Sequence, residues 1–300
     1  MSSTLTIHVL SIVASRHYQI GITKVQLNIG VNCGMAAEQL PSPDMVVQLF
    51  KNYSIGKVRL PEPNSAVLEA LENSGIDVTL CIKNEDLPSI ASSAKAAETW
   101  SIKHVEPYIP LMNFQYITAG NEVFPGDLAK YVLPGMRNIQ NIINSYEYTG
   151  LRVCTVVGIA TLGSLDPTLS GAFADKARAD MVGIINLLLK TSSPLLANVY
   201  TYFAFASDPD HVRLDYVQFT ATRPLVQDSN LSYSNMLDEF FVDTVVCESG
   251  WPSAGDELWA TPLLAQTYNQ NFNQKQVGVD RHWGLFYSDG TPVCPVQRVD

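Results

Sequence analysis

Short apolar runs rich in β-branched residues alternate with longer amphipathic stretches along most of this 300-residue chain. Residues 27–32 predict a first strand. Ser42, Pro43 and Asp44 then open a helix, with Ser42 as N-cap and Pro43 in the first turn, where its missing N–H is no loss. Val46, Val47, Leu49 and Phe50 follow at the spacing of one helical face. The same alternation gives strand two at 56–60 and a helix over 63–72, with Val67, Leu68 and Leu71 inward and Gly75 as its stop. Strand three at 76–82 is followed by one long helix over 87–104. Strand four runs from Phe114 to Glu122, and a helix spans about 128–143. Strand five at 151–156, a helix over 179–189, strand six at 196–203 and strand seven at 242–247 complete the regular part.

Strands alternating with helices predict a parallel sheet, and this many repeats predict closure into a (β/α)8 TIM barrel, an α/β fold that takes about 250 residues. No Gly/Ser-rich linker or composition break divides residues 27–300, so one domain is expected there. The pattern falters near its end. An eighth strand and its helix should follow residues 262–274, but 274–276 run almost directly into 277–287, a segment that alternates enough for one strand only. Residues 233–241, before strand seven, allow at most two helical turns. The barrel is therefore expected to be incomplete or irregular around strand eight.

Composition narrows the chemistry. An apolar content of 46% with 16% charged residues describes a well-buried chain with a sparsely charged surface. The net charge of −10 argues against nucleic acid as a partner, since phosphate binding needs basic patches. Five widely spaced cysteines include no C-x-x-C pair, and buried free thiols are the expected reading. The five histidines are scattered without metal-ligand spacing, so neither metal nor cofactor is expected. Residues 5–14 are apolar enough for a signal core but lack a basic segment before them, and residues 1–26 read as a degraded leader. Nothing else approaches the roughly 18 apolar residues of a membrane span. Sequons at Asn52 and Asn230 are compatible with secretion.

Two strand ends carry the candidate chemistry. Val245-Val246-Cys247-Glu248 is a short apolar run that delivers one carboxylate before Gly250, Trp251 and Pro252 stop it. Ile117-Thr118-Ala119-Gly120-Asn121-Glu122 has the same design, ahead of a Pro-Gly turn. A strand that ends on an acid places it at the rim of a barrel, where ligands collect. Strands four and seven face each other across such a barrel, so Glu122 and Glu248 can flank one bond. Retaining glycosidases need that pair about 5–5.5 Å apart, and inverting ones about 6.5–9.5 Å. Asn121 could hydrogen-bond a sugar hydroxyl, and Trp251 offers a flat surface for a pyranose. On strand six, Tyr200 and Tyr202 share one face, where a tyrosine hydroxyl could hold the nucleophile.

From about Ile29 onward the chain resembles the plant β-1,3-glucanases of glycoside hydrolase family 17. The resemblance is carried by Ile29-Gly30-Val31-Asn32, Leu40-Pro41-Ser42-Pro43, Gly120-Asn121-Glu122-Val123, Tyr131-Val132-Leu133-Pro134, Asn198-Val199-Tyr200, Leu214-Asp215-Tyr216 and the stretch from Glu248 to Gly255. It implies a retaining endo-hydrolysis of 1,3-β-glucan polysaccharide or oligosaccharide, with Glu122 as general acid/base and Glu248 as nucleophile. It also implies a secreted or vacuolar protein, acting as a monomer in cell-wall remodelling or plant defence. Open alternatives are an inactive or glucan-binding relative with an incomplete cleft, and a transglycosylase using the same pair. The chain departs from the family at Cys33 and Pro61, where aromatic residues are usual, and at Asp280, where glutamate is. It also lacks the family's eighth strand and much of the helix before strand seven.

Overall fold

The computed structural model describes residues 7–11, 29–35, 41–145, 150–161, 173–228, 231–236, 244–256 and 258–275. Its main sheet begins with β1 (Ile7–Ser11) and β2 (Ile29–Cys33) and continues through β3 (Lys57–Leu60), β4 (Asp77–Ile82) and β5 (Asn113–Asn121). It ends with β6 (Arg152–Gly158), β7 (Leu195–Asn198) and, after the small antiparallel hairpin of β8 (Val226–Asp228) and β9 (Leu231–Tyr233), β10 (Thr244–Glu248). From β2 to β7 and on to β10 every neighbouring pair is parallel, giving seven parallel strands in the order of a TIM barrel.

Helices wrap the outside. They are α1 (Pro43–Asn52), α2 (Ser65–Leu71), α3 (Leu87–Ser92), α4 (Ala94–His104), α5 (Ala129–Ser145), α6 (Asp175–Thr191), α7 (Thr201–Ser207), α8 (Leu214–Val217) and α9 (Pro262–Lys275). Each major helix buries one stripe at helical period, as with Val132, Met136, Ile139 and Ile143 on α5 and Ala177, Met181, Ile184 and Leu188 on α6. The Ser42 side chain accepts from the Met45 N–H as an N-cap, and Val46, Val47 and Phe50 turn inward. These stripes meet the outward side chains of the strands in one continuous core. A separate cluster of Tyr116, Cys154, Val156, Leu196 and Cys247 packs inside the ring.

Two elements differ from the sequence expectation. The long helix over 87–104 is two helices, because Ser93 adopts extended backbone (φ −145°, ψ 118°) and its hydroxyl caps α4 by accepting from Ala96 N. Strand six ends at Asn198 rather than 203. Its neighbours stop there too, with Gly158 and Glu248 opposite Asn198. Beyond that point no partner strand offers hydrogen bonds, so the chain coils into α7 and buries Phe205. Tyr200 and Tyr202 therefore sit at and inside a helix N-terminus, not on one face of a strand.

The place of an eighth parallel strand, between β10 and β2, holds β1 instead. It runs antiparallel to β2, with Ile7 opposite Cys33 and Ser11 opposite Ile29, inside the segment read as a leader. It also lies alongside β10, but no ladder joins the two among the described residues, so one seam stays open. Residues 237–243 and 277–287, where the sequence left the barrel irregular, fall outside the described residues.

Gly120 combines a left-handed backbone with close side-chain packing. Its φ is +86°, and a Cβ there would sit 2.9 Å from Val132 Cγ2. Gly120→Ala is expected to lower the free energy of unfolding by about 1–3 kcal/mol, the usual cost of forcing a side chain into such a conformation. Denaturant titration should show a lower midpoint with unchanged slope.

Candidate active site

Both candidate carboxylates follow a break in strand register. The β5–β6 pairing slips between Thr118 and Asn121, and the β7–β10 pairing slips between Val246 and Glu248. Such bulges re-aim the side chains that follow them. Glu122 is further turned by a left-handed backbone (φ 54°), while its N–H still donates to Val156 O at 2.9 Å. A non-glycine residue in that region costs of order 1–3 kcal/mol and persists only where its surroundings hold it. Here Asn84 does much of the holding: its side chain donates to Asn121 O and accepts from Asn121 N, both at 3.0 Å.

The two carboxylates belong to one hydrogen-bond network. Arg59, on β3, is completely buried inside the ring. Its Nη1 pairs with Glu248 Oε1 and donates to Asn32 Oδ1 at 2.8 Å, and its Nη2 donates to Asn121 Oδ1 at 2.8 Å. Asn198 Nδ2 donates to that same Asn121 oxygen at 3.3 Å and to Glu122 Oε1 at 2.8 Å. Tyr200 completes the set, donating to Glu248 Oε2 at 2.5 Å. Asn32 in turn donates to Cys247 O at 3.1 Å, reaching from β2 to β10 across the open seam.

Charge is distributed unevenly across this network. Burial alone would lower the pKa of Arg59, but the negative charges of Cys247, Cys81 and Glu248, when ionised, outweigh it and raise the pKa. Burial also pushes both thiols up, so they stay protonated and uncharged near neutral pH. Burial and the neighbouring Glu248 charge raise Tyr200 far above the ordinary phenol range, so it remains a hydroxyl that can donate. Glu248 thus faces a cation and a phenol. Among the described residues, the Glu122 side chain takes its hydrogen bond from a neutral amide, that of Asn198.

The structure brings together Glu122, Glu248, Asn121 and Tyr200. It places Trp251 elsewhere. That side chain is 0% exposed, packs against Tyr202, Phe205 and Tyr268, and donates from Nε1 to Trp259 O at 2.6 Å. No face is open for a sugar to stack upon, so the expected platform is instead a support under the loop after β10. Arg59 and Asn198 were not among the sequence candidates. A charge in the middle of the buried run Val58-Arg59-Leu60 was the signal for the first. Asn198, ending an apolar run as Glu122 and Glu248 do, was the signal for the second. Among the described residues, no group of three His, Cys, Asp or Glu side chains could hold a metal ion. Trp251→Ala should cost about 3–5 kcal/mol of stability through the cavity it leaves, measurable by denaturant unfolding.

Comparison with known proteins agrees with this geometry. Residues 29–278 match the family model described as glycosyl hydrolases family 17. A protein of Arabidopsis thaliana described as a probable glucan endo-1,3-β-glucosidase is 36% identical over 317 aligned positions, covering 91% of this chain and 92% of its own length. Among solved structures, one of two plant β-glucan endohydrolases with distinct substrate specificities superposes with a TM-score of 0.82 at 33% identity, covering 89% of this chain and 99% of its own. A β-1,3-glucanase and allergen of Cryptomeria japonica pollen superposes with the same TM-score and identity, over 90% of this chain and 98% of its own. The chain belongs to glycosyl hydrolase family 17.

Proposed function

We propose that this protein hydrolyses internal linkages of 1,3-β-D-glucan with retention of configuration, Glu248 serving as nucleophile and Glu122 as general acid/base. One observation carries the reading: the two strand-end carboxylates are tied into a single network, yet have unlike partners within it. A nucleophile must be ionised, and the Arg59 cation and Tyr200 hydroxyl both favour the charged form of Glu248. A general acid must carry a proton, and Glu122 takes its side-chain hydrogen bond from an uncharged amide. Unlike surroundings for paired carboxylates are how such roles are divided.

In this mechanism Glu248 attacks the anomeric carbon while Glu122 protonates the departing glycosidic oxygen. Glu122 then takes a proton from the water that hydrolyses the glycosyl ester, which requires carboxyls about 5–5.5 Å apart. With Asn121 Oδ1 held by Arg59 and Asn198, its Nδ2 is left to donate to a sugar hydroxyl. All of these groups come from one chain, consistent with a monomer, and the chemistry calls for no cofactor.

Residues 27–300 are proposed to form the single catalytic domain, with β1 of the preceding segment added to its sheet, and to work in the cell wall or vacuole after passage through the secretory route. The two sequons support that route. No helix among the described residues is long and apolar enough to cross a membrane.

Release of reducing sugar from laminarin tests the reading directly. Wild-type protein should be active, and Glu248→Gln should lose roughly 10⁴-fold or more, as loss of a nucleophile does elsewhere. A folded wild-type protein with no turnover would overturn it. Tyr200→Phe should reduce kcat by about 10–100-fold, because a hydrogen bond to a charged group is worth ~1.5–3 kcal/mol.

A further inference from the structure

Asn198 is the last residue of β7 and stands opposite both Gly158 of β6 and Glu248 of β10. It is 2% exposed, and its Oδ1 is a buried acceptor without a partner. An orphaned buried acceptor costs about 1–3 kcal/mol, so the side chain is a liability unless its nitrogen is needed. The nitrogen is fully used: one N–H reaches Asn121 Oδ1 and the other Glu122 Oε1. The Glu122 side chain also lies against Gly158, where a Cβ would stand only 3.3 Å from Glu122 Cγ and Cδ. The carboxyl is thus gripped by a donor and confined by a residue with no side chain.

We infer that Asn198 is the positioning residue for Glu122, fixing Oε1 so that Oε2 carries the proton to the departing oxygen. This rests on the proposed acid/base role of Glu122. Oε1 can accept from the amide whether Glu122 is ionised or protonated at Oε2, so the contact survives both half-reactions. Asn198 itself touches no reacting atom. Its loss leaves Glu122 able to rotate on a strained, left-handed backbone, and proton delivery suffers while nucleophilic attack by Glu248 does not.

A leaving-group comparison tests this. The readout is kcat/KM for laminarin, whose leaving group needs a proton, and for an aryl β-1,3-linked disaccharide with a dinitrophenolate leaving group, which does not. Asn198→Ala should fall about 10–100-fold on laminarin, within the contribution of a general acid. On the aryl substrate it should stay within about threefold of wild type. Asn198→Leu, which roughly keeps the volume but has no donor, should show the same split. Glu122→Ala, assayed beside them, should split more widely, by about 10²–10⁴-fold on laminarin. Parallel losses on both substrates in the Asn198 variants, or no loss on either, with a split in Glu122→Ala, would overturn the positioning role alone. Equal losses on both substrates in Glu122→Ala would remove the acid/base role and this inference with it.

Discussion

A charged guanidinium buried within a ring of strands is the constraint on which the rest of this structure depends. Isolated, Arg59 would be intolerable there, since burying an unpaired charge costs far more than any single contact returns. It is made tolerable by three partners from three other strands: Asn32 on β2, Asn121 on β5 and Glu248 on β10. Those bonds act across the ring where backbone ladders cannot. With β1 antiparallel in the eighth position and no ladder to β10 among the described residues, side chains at the rim do part of the closing. Arg59–Glu248 and Asn32–Cys247 both span the gap. A pair of this kind adds little net stability compared with apolar packing, yet breaking it from one side is costly because a lone charge remains. Its value here is geometric.

That geometry reaches the proposed chemistry through backbone irregularities. Regular strands would carry Glu122 and Glu248 along their alternating faces, with no reason to converge. A register slip ahead of each, and a left-handed residue at Glu122, turn both toward the same network. Asn84 and Asn198 then hold the less strongly bonded of the two, while Arg59 and Tyr200 hold the other. The aromatic mass of Trp251, Tyr202, Phe205 and Tyr268 lies beneath as scaffold.

Much of this was legible in the chain. Parallel strands buried on both faces read as apolar runs, so β2 to β6, β10 and the start of β7 could be placed within a residue or two, and the acids at the ends of β5 and β10 stood out. What was not legible depended on partners distant in sequence. Residues 199–203 look like a strand by composition, and only the ending of β6 and β10 beside Asn198 turns them into a helix. Ser93 reads as mid-helix until its hydroxyl is seen capping α4. Trp251 beside Glu248 suggested a sugar platform because sequence adjacency says nothing about which way a ring points. The antiparallel β1 in the eighth position has no counterpart in a β/α alternation and could not be anticipated from it.

If Glu248 and Glu122 act from opposite sides of one bond as nucleophile and acid, the stereochemistry of the first product must show it. Proton NMR of laminarin during the first minutes of hydrolysis, before mutarotation, resolves the new reducing-end anomer. Retention gives the β-anomer first, with the α-anomer growing in only as the ring opens and recloses. Initial appearance of the α-anomer would mean direct attack by water at a wider carboxylate separation, and would contradict the role given to Glu248.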